Sequence, residues 1–382
     1  MKVLIAGGGT GGHVYPGIAV AEELVRTRPG AEVVFVGGRR GIESVAVPEA
    51  GFRLRTIMTG GLPRGGGWWK WPGALLVNAI GFVQALFVVL VERPNVVLGT
   101  GGYVSGPMSL AAWVLGRPLL LQEQNSIPGK ANRWLARIAD EVHLSFVEAR
   151  SYFTRKDHLK VSGNPVRAHI LSGDRGAAFE EFGLSPGRPT VFVFGGSRGA
   201  HRINEATLEA MQRLKGRVDV QWILQTGRED FDWAKGVVEK EALPARVLPF
   251  LRRIHLAYAA ADLVVCRSGA MTLAEIAANG TPAILIPYPF AAHDHQVVNA
   301  ANLVERGAAA MILDRELTGE KLAQEIAHWL SDRAGLSAMS SNARRFARPD
   351  AAEKIVRSLE RWSAGRKAAR ANVSRAGEGG GR

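Results

Sequence analysis

Two glycine-rich turns, each placed directly after a short apolar run, constrain this chain more than any other feature. The first run, Lys2-Val3-Leu4-Ile5-Ala6, leads into Gly7-Gly8-Gly9-Thr10-Gly11-Gly12-His13. The second, Thr190-Val191-Phe192-Val193-Phe194, leads into Gly195-Gly196-Ser197-Arg198-Gly199-Ala200. Uninterrupted apolar runs of this kind read as strands buried on both faces. A helical pattern follows each turn. Glycine lets backbone N–H groups and a helix N-terminus approach a phosphate closely. One such turn points to a nucleotide. One in each half points to two similar domains facing a cleft, with two phosphate-bearing ligands.

The rest of the chain repeats the alternation. In the first half, strands are expected at 2–6, 32–36, 53–57, 95–99, 118–122, 141–145 and 159–162. In the second half they are expected at 190–194, 220–225, 246–250, 263–266, 283–287 and 310–313. Helical segments between them supply crossovers, so each half reads as a doubly wound, Rossmann-like α/β domain. Gly163-Asn164-Pro165 carries turn chemistry after the last strand of the first half. The divisions expected are therefore 1–163, 164–348, a helix at 349–362 that packs back on the first domain, and a basic tail at 363–382. That tail holds Arg366, Lys367, Arg370, Arg375 and Arg382 among Gly, Ala and Ser and reads as disordered.

The chain has 48 Lys+Arg against 35 Asp+Glu, which favours an anionic partner. No nucleic-acid module or interleaving of aromatic and basic residues accompanies the charge, so nucleic acid is not expected. The single cysteine, Cys266, excludes an internal disulfide, fits a reducing compartment, and reads as core filler. The 18 residues from Ala74 to Val91 carry no charge and follow Trp68, Trp69, Lys70 and Trp71. A span here would put strands of one sheet on opposite sides of a bilayer. A sheet-covering helix normally has a polar outer face. This segment offers only Asn78 and Gln84, so it reads as a helix dipping into a membrane interface, with Arg64, Lys70 and Arg93 attracting anionic headgroups.

Gly7, Gly9 and Gly12 also satisfy the dinucleotide pattern. The second strand ends Val36-Gly37-Gly38-Arg39-Arg40, without the acid an NAD site needs, though an arginine suits NADP. An NADP oxidoreductase is thus the rival from another class. It gives no reason for the second turn. In the second half, Arg267-Ser268-Gly269-Ala270-Met271-Thr272-Leu273-Ala274-Glu275 runs from a strand end into a helix. Its start offers hydroxyls and N–H groups to phosphate. Glu275 reads equally as a ribose ligand or as a charge favoured by the helix dipole. The spacing of His293, Asp294 and His295 is too tight for a helical metal pair, and no metal is expected.

Taken together, these motifs resemble the MurG family of bacterial glycosyltransferases. The resemblance rests on Gly8-Gly9-Thr10-Gly11-Gly12-His13-Val14-Tyr15-Pro16-Gly17 and Leu98-Gly99-Thr100-Gly101-Gly102-Tyr103-Val104-Ser105-Gly106-Pro107. It continues through Gln122-Glu123-Gln124-Asn125, Gly163-Asn164-Pro165-Val166-Arg167, Gly195-Gly196-Ser197, the 267–275 run and Asp294-His295-Gln296. Tyr15 stands where phenylalanine is common in the family, and Gln122 where histidine often precedes Glu-Gln-Asn. The resemblance covers residues 1–360 and implies the GT-B fold. It implies transfer of GlcNAc from UDP-GlcNAc to the C4 hydroxyl of MurNAc-pentapeptide on undecaprenyl diphosphate, lipid I to lipid II, in peptidoglycan synthesis. It places the enzyme peripherally on the cytoplasmic side of the inner membrane, without a cofactor.

By position, the resemblance gives 1–163 the lipid acceptor and 164–348 the nucleotide sugar. Glu275 would hold the ribose, and the backbone of Phe250-Leu251 would meet uracil. Ser197 and the helix start at Ala270, Met271, Thr272, Leu273 and Ala274 would meet the diphosphate. Gln296, with His295 nearby, would contact the sugar. Thr10, Gly11, Gly12, Asn125 and Arg167 would line the donor-sugar side. Gly9, Gly101, Gly102 and Tyr103 would cradle the acceptor diphosphate. An α donor and a β product imply one inverting displacement, with a base for the acceptor hydroxyl. N–H dipoles and Arg167 would stabilise the departing UDP in place of a metal. His13 is the first choice of base, an imidazole at the end of the first strand. Glu123 is the second.

Overall fold

The computed structural model describes residues 1–61, 71–196 and 199–365, with the side chain of Trp71 also outside the description. The chain divides into two compact units, Met1–Arg167 with Arg348–Arg382, and Ala168–Ala347. Trp68, Trp69, Arg64, Lys70, Ser197, Arg198 and the basic tail beyond residue 365 lie outside the described residues.

In the first unit, β1 (Lys2–Gly7), α1 (Gly11–Thr27), β2 (Glu32–Gly37), α2 (Glu43–Glu49), β3 (Arg53–Thr56) and α3 (Trp71–Glu92) come first. They are followed by β4 (Val96–Gly101), α4 (Ser105–Val114), β5 (Leu119–Glu123), α5 (Lys130–Leu135), β6 (Glu141–Leu144) and β7 (Leu159–Val161). The sheet runs β3-β2-β1-β4-β5-β6-β7, parallel throughout. Strand alternation sorts the core into two layers. Val3 and Ile5 join α1 residues such as Ile18 and Leu24 on one face. Leu4 and Ala6 join Ala85 and Val89 of α3 and Met108 of α4 on the other.

The second unit holds α6 (Arg175–Phe182), β8 (Thr190–Phe194), α7 (His201–Leu214), β9 (Gln221–Gln225), α8 (Phe231–Lys240), β10 (Ala245–Leu248) and α9 (Ile254–Ala260). Then come β11 (Leu263–Cys266), α10 (Ala270–Asn279), β12 (Ala283–Leu285), α11 (His295–Val304), β13 (Ala310–Met311), α12 (Gly319–Ser331) and α13 (Arg333–Phe346). Its parallel sheet runs β10-β9-β8-β11-β12-β13. Val191 and Val193 pack toward α7 and α12. Phe192 and Phe194 turn the other way, with their rings edge-on to Tyr258. Cys266 is fully buried in β11, where burial, then the charge of Glu275, pushes its thiol up.

Every expected strand is present, with ends that differ by a few residues. The 283–287 strand stops at Leu285, short of Pro287, which has no N–H for the ladder. The second sheet repeats the strand order of the first, which carries one strand more, β7. Strand order reverses between β1 and β4, and again between β8 and β11. Ligands of open parallel sheets settle beyond the strand C-termini at such reversals. Both glycine turns stand there.

The last helix, α14 (Ala351–Ser363), belongs to the first unit. Ile355, Val356, Leu359 and Trp362 bury against the α1 layer, each worth about 1.5–3 kcal/mol before ordering costs. Its anchor is Glu141 of β6. That carboxylate accepts from Ser358 Oγ at 2.6 Å, from Trp362 Nε1 at 3.2 Å and from Arg361. His143 Nε2 lies 3.2 Å away. Burial raises the Glu141 carboxyl, but the nearby His143 ring, the Ser358 hydroxyl and the Arg361 charge outweigh this and hold it at about 2. A folded value below the unfolded 4.5 gives stability that is complete above 4.5 and lost as pH falls toward 2, of order 3 kcal/mol. Glu141→Gln should lower stability near neutrality and flatten its fall between pH 5 and 2. Denaturant melts across that range measure it, and an unchanged pH slope would count against this anchor.

Candidate active site

In the first unit the turn after β1 is closed from below by a buried acid. Glu43, at the start of α2, accepts from Gly9 N at 2.9 Å and from Gly38 N at 2.8 Å. A Cβ on Gly8 would lie 2.3 Å from its Oε1, and one on Gly41 2.0 Å from its Oε2. The Gly9 amide is therefore spent inside the protein. An acceptor role for Gly9 would then rest on its open Cα side, where a Cβ would meet nothing within 4 Å, and not on its amide. The buried acid also disfavours the dinucleotide reading, because a carboxylate sits where a pyrophosphate would need donors. Glu43 escaped sequence reasoning. Its only signal was an acid within a polar turn.

The turn after β4 leans on the first. Gly102 has φ +79°, and a Cβ there would lie 2.2 Å from Gly8 O. Gly101, at φ +107°, leaves room for the His13 ring, with 2.5 Å from its virtual Cβ to Nδ1. Thr100 Oγ1 donates to His13 O at 2.7 Å. Tyr103 is half exposed beside Gly61. The two turns, His13, Gly101, Gly102 and Tyr103, thus form one surface at the β1/β4 reversal.

Thr10 caps α1 in extended conformation without using its side chain, and His13 lies in the first turn. The first amides of a helix have no intrahelical partner, so those of Gly11 and Gly12 are open to an anion. His13 Nδ1 lies 3.2 Å from Thr100 O and 3.1 Å from Gln124 Oε1. Both neighbours are acceptors, so Nδ1 carries the proton. Nε2 keeps its lone pair, and nothing among the described residues bonds to it. An imidazole held in this way accepts a proton.

Glu123 is differently placed. It lies at the end of β5, 2% exposed. It accepts from Asn125 N at 3.0 Å, Asn125 Nδ2 at 3.3 Å, Gly129 N at 3.1 Å and Asn132 Nδ2 at 2.8 Å. Four donors, three from the loop after β5 and one from α5, suit a carboxylate that shapes the loop and orients Asn125. Arg167, the last residue before the second unit, stacks 4.0 Å above the Tyr15 ring. Burial pushes the Glu22 carboxyl up against the pull of this same guanidinium. Tyr15 also lies within 2.9 Å of a virtual Cβ on Gly11, so Arg167 is held over the start of α1.

The second unit gathers the residues expected at the donor around β8 and β11. Gly196 and Gly199 take φ +97° and +79°, and Gly199 packs on Thr226 O. Gln225, at the end of β9, donates to Gly196 O at 2.9 Å and accepts from Leu251 N at 3.2 Å. It ties the glycine turn to the 250–251 backbone, and sequence reasoning missed it. Its signal was a polar side chain closing an apolar strand. The Leu251 amide is taken by this bond, leaving its carbonyl for a base.

Gly269 caps α10 in extended conformation, followed by Ala270, Met271 and Thr272. Leu273 donates its N–H to Gly269 O and buries its side chain, so with Ala274 it holds the helix start. Glu275 is past the first turn, where the dipole effect has faded. It is 7% exposed and takes a bond from Tyr258 OH at 3.1 Å. Position and burial favour a ligand role over a dipole charge. Gln296 accepts from Tyr288 N at 2.9 Å, and its backbone O accepts from Ser268 Oγ at 2.8 Å, leaving the Gln296 amide NH2 to donate. His293 and Asp294 both lie in the left-handed region, at φ 55° and 52°. That costs energy in non-glycine residues and recurs at functional sites. His295 bonds Ala292 O. Among the described residues no cluster of three potential ligands could hold a metal. One Asp-x-Asp triplet, Asp230-Phe231-Asp232, was passed over in the sequence. Asp230 is spent on His201 at 2.9 Å and Asn204 at 2.7 Å.

Two parallel α/β units, each with a glycine turn at its strand reversal, give the two-domain GT-B architecture, and the family matches make it that of a glycosyltransferase. The glycosyltransferase family 28 N-terminal domain matches residues 3–144, and the family 28 C-terminal domain residues 190–355. The UDP-N-acetylglucosamine--N-acetylmuramyl-(pentapeptide) pyrophosphoryl-undecaprenol N-acetylglucosamine transferase of Chlorobaculum tepidum is 45% identical, over 93% of this chain and 98% of that protein. The enzyme of the same name from Chlorobium limicola is 43% identical over 94% and 98%. The crystal structure of Acinetobacter baumannii MurG superposes with a TM-score of 0.72 at 28% identity, covering 94% of this chain and 99% of that one. A UDP-N-acetylglucosamine 2-epimerase from Listeria monocytogenes, at 14% identity and a TM-score of 0.70, shares the fold alone. The chain belongs to the MurG family of glycosyltransferases.

Proposed function

We propose that this chain transfers N-acetylglucosamine from UDP-GlcNAc to the C4 hydroxyl of undecaprenyl-diphosphate-linked MurNAc-pentapeptide, with inversion. The observation that carries this is His13, held as a base at the β1/β4 reversal, beside turns suited to a diphosphate. Nε2 takes the proton of the acceptor hydroxyl as its oxygen bonds to C1 of the donor sugar. The bond from C1 to the β-phosphate oxygen breaks, and its electrons leave with UDP. The amides at the start of α10 and the Arg167 guanidinium meet that charge. Glu275 accepts from the ribose hydroxyls, the 250–251 backbone faces uracil, and the Gln296 NH2 addresses the sugar. Asn125, oriented by Glu123, serves the same sugar. The remaining roles follow in the same way: Ser197 at the donor diphosphate, and Gly101, Gly102 and Tyr103 at the acceptor. Purified protein given radiolabelled UDP-GlcNAc and a lipid I analogue should form labelled lipid product. Absence of transfer, with tight NADPH binding, would overturn the assignment.

The acceptor is membrane-bound, and α3 offers a means of reaching it. Pro72–Glu92 is long and apolar enough to cross a bilayer by length and composition. Its polar residues point inward: Asn78 donates to Gly60 O at 3.1 Å, and Gln84 accepts from Met58 N at 2.7 Å. Gly81 lets the helix approach Met58 O. The outward stripe is Leu76, Ile80, Val83, Phe87 and Leu90, between 38% and 66% exposed. This reverses the usual polarity of a surface helix. Trp113 on α4 and Trp134 on α5 are also about half exposed, and Lys130, Arg133 and Arg137 surround Trp134. Such a surface suits peripheral attachment to anionic lipids on the cytoplasmic side. Val83→Ser with Phe87→Ser should reduce co-sedimentation with phosphatidylglycerol vesicles severalfold while leaving UDP binding intact. Unchanged sedimentation would remove α3 from the interface.

A further inference from the structure

We propose that Gln124 is a positioning residue that fixes His13 in its Nδ1–H tautomer and so keeps Nε2 available as the base. The inference rests on the assignment of His13 as base and names the side chain that makes it competent. Gln124 is 2% exposed, just beyond β5. Its amide has one orientation consistent with its surroundings. Nε2 donates to Thr100 O at 2.6 Å, to Gln122 O at 3.2 Å and to Gln122 Oε1. A flipped amide would place its carbonyl against three acceptors and leave a buried N–H2 facing His13. With the amide so fixed, Oε1 faces His13 Nδ1 at 3.1 Å and requires a proton there.

The orientation is propagated from further back. Gln122, fully buried, donates to Ser145 Oγ at 3.1 Å and Asn164 Oδ1 at 3.0 Å, which turns its own Oε1 toward Gln124. Asn164 Nδ2 donates to Gln124 O at 3.1 Å, and Ser145 Oγ lies 2.6 Å from Asn164 Oδ1. Each amide therefore has one side committed to donors and one to acceptors, ending at the imidazole. An ionised carboxylate in this place would also hold Nδ1–H, but would set its second oxygen against Thr100 O and the two Gln122 oxygens and add a negative charge close to where a diphosphate is to bind. A neutral amide selects the tautomer without that charge.

The test uses the full-length protein with Gln124→Met, which keeps the length and removes both functions of the amide, and Gln124→Glu, which keeps an acceptor. Side-chain nitrogen NMR of histidine-labelled protein, assigned by His13→Asn, reads the tautomer directly. In Gln124→Met only Thr100 O, 3.2 Å away, is left to hold the proton on Nδ1, so the Nδ1–H signature should weaken toward a tautomer mixture. kcat should fall at least about tenfold, against the 10²–10⁴ that a general base contributes, with KM for UDP-GlcNAc within twofold. Gln124→Glu, protonated on the oxygen that faces Thr100 O and the Gln122 oxygens, should retain the Nδ1–H signature and recover part of kcat. UDP affinity and melting temperature report whether each variant is folded. A Gln124→Met protein with unchanged tautomer or unchanged kcat overturns the proposal. So does a Gln124→Glu protein that behaves like Gln124→Met. Should His13→Asn retain near-normal kcat, the base assignment itself fails, and the kinetic part of this proposal fails with it. If His13→Asn is impaired and Gln124→Met is not, only the positioning role is lost.

Discussion

His13→Asn should lower kcat by about 10²–10⁴-fold, the contribution of a positioned general base, with KM for either substrate little changed. Asparagine is the informative replacement. Its amide NH2 can take over the Nδ1–H bonds to Thr100 O and Gln124 Oε1, so the turn after β1 keeps its shape. What is lost is the lone pair at Nε2. Steady-state rates with both substrates saturating isolate the chemical step. The comparison is Glu123→Gln. That change leaves Glu123's four donors competing for one carbonyl oxygen, so its effect should fall on stability and on Asn125, with a smaller loss in kcat. Near-normal kcat in His13→Asn would move the base elsewhere, and Glu123 would be the next candidate.

Glu275→Ala should weaken UDP binding by about 100-fold. A buried carboxylate accepting two ribose hydroxyls makes charge-assisted bonds worth about 1.5–3 kcal/mol each, and a net loss near 3 kcal/mol is about two powers of ten. Binding of UDP by calorimetry measures this without the acceptor. Tyr258→Phe removes only the tether at 3.1 Å and should cost far less. If Glu275→Ala binds UDP normally, the carboxylate serves the α10 core and the ribose is held by another group.

The fold was readable because its signals are repetitive. Each central strand is a continuous apolar run, each reversal carries a glycine turn, and both halves repeat the pattern. The site was readable only in part, and the reason is parity along β5. Successive side chains of a strand point to opposite faces. Gln122 and Gln124 therefore share one face, with His13, while Glu123 turns away toward Gly129 and Asn132. Reading for catalytic residue types selects the acid. Reading for geometry selects the amide beside it. Glu43 and Gln225 escaped for a related reason. Each acts by occupying backbone amides at a distance in sequence, and neither belongs to a pattern of spacing. The polarity of α3 was anticipated from composition. That its two amide side chains, Asn78 and Gln84, face inward required the structure.

The position of α14 has a consequence for how the molecule is made. The chain leaves the first unit at Arg167 and returns at Arg348, so the second unit is an insertion. Arg28 of the α1 end meets Glu360 at 2.6 Å, joining the two ends of the sequence. During synthesis from the N-terminus, the second unit is complete before the first has received the helix that covers Ile18 and Leu24. The second unit can fold on emergence, whereas the first waits for α14, with an apolar layer open in the interval. An unfinished chain thus carries one closed unit and one whose apolar layer still needs a lid, so truncation before α14 should expose the first unit and spare the second.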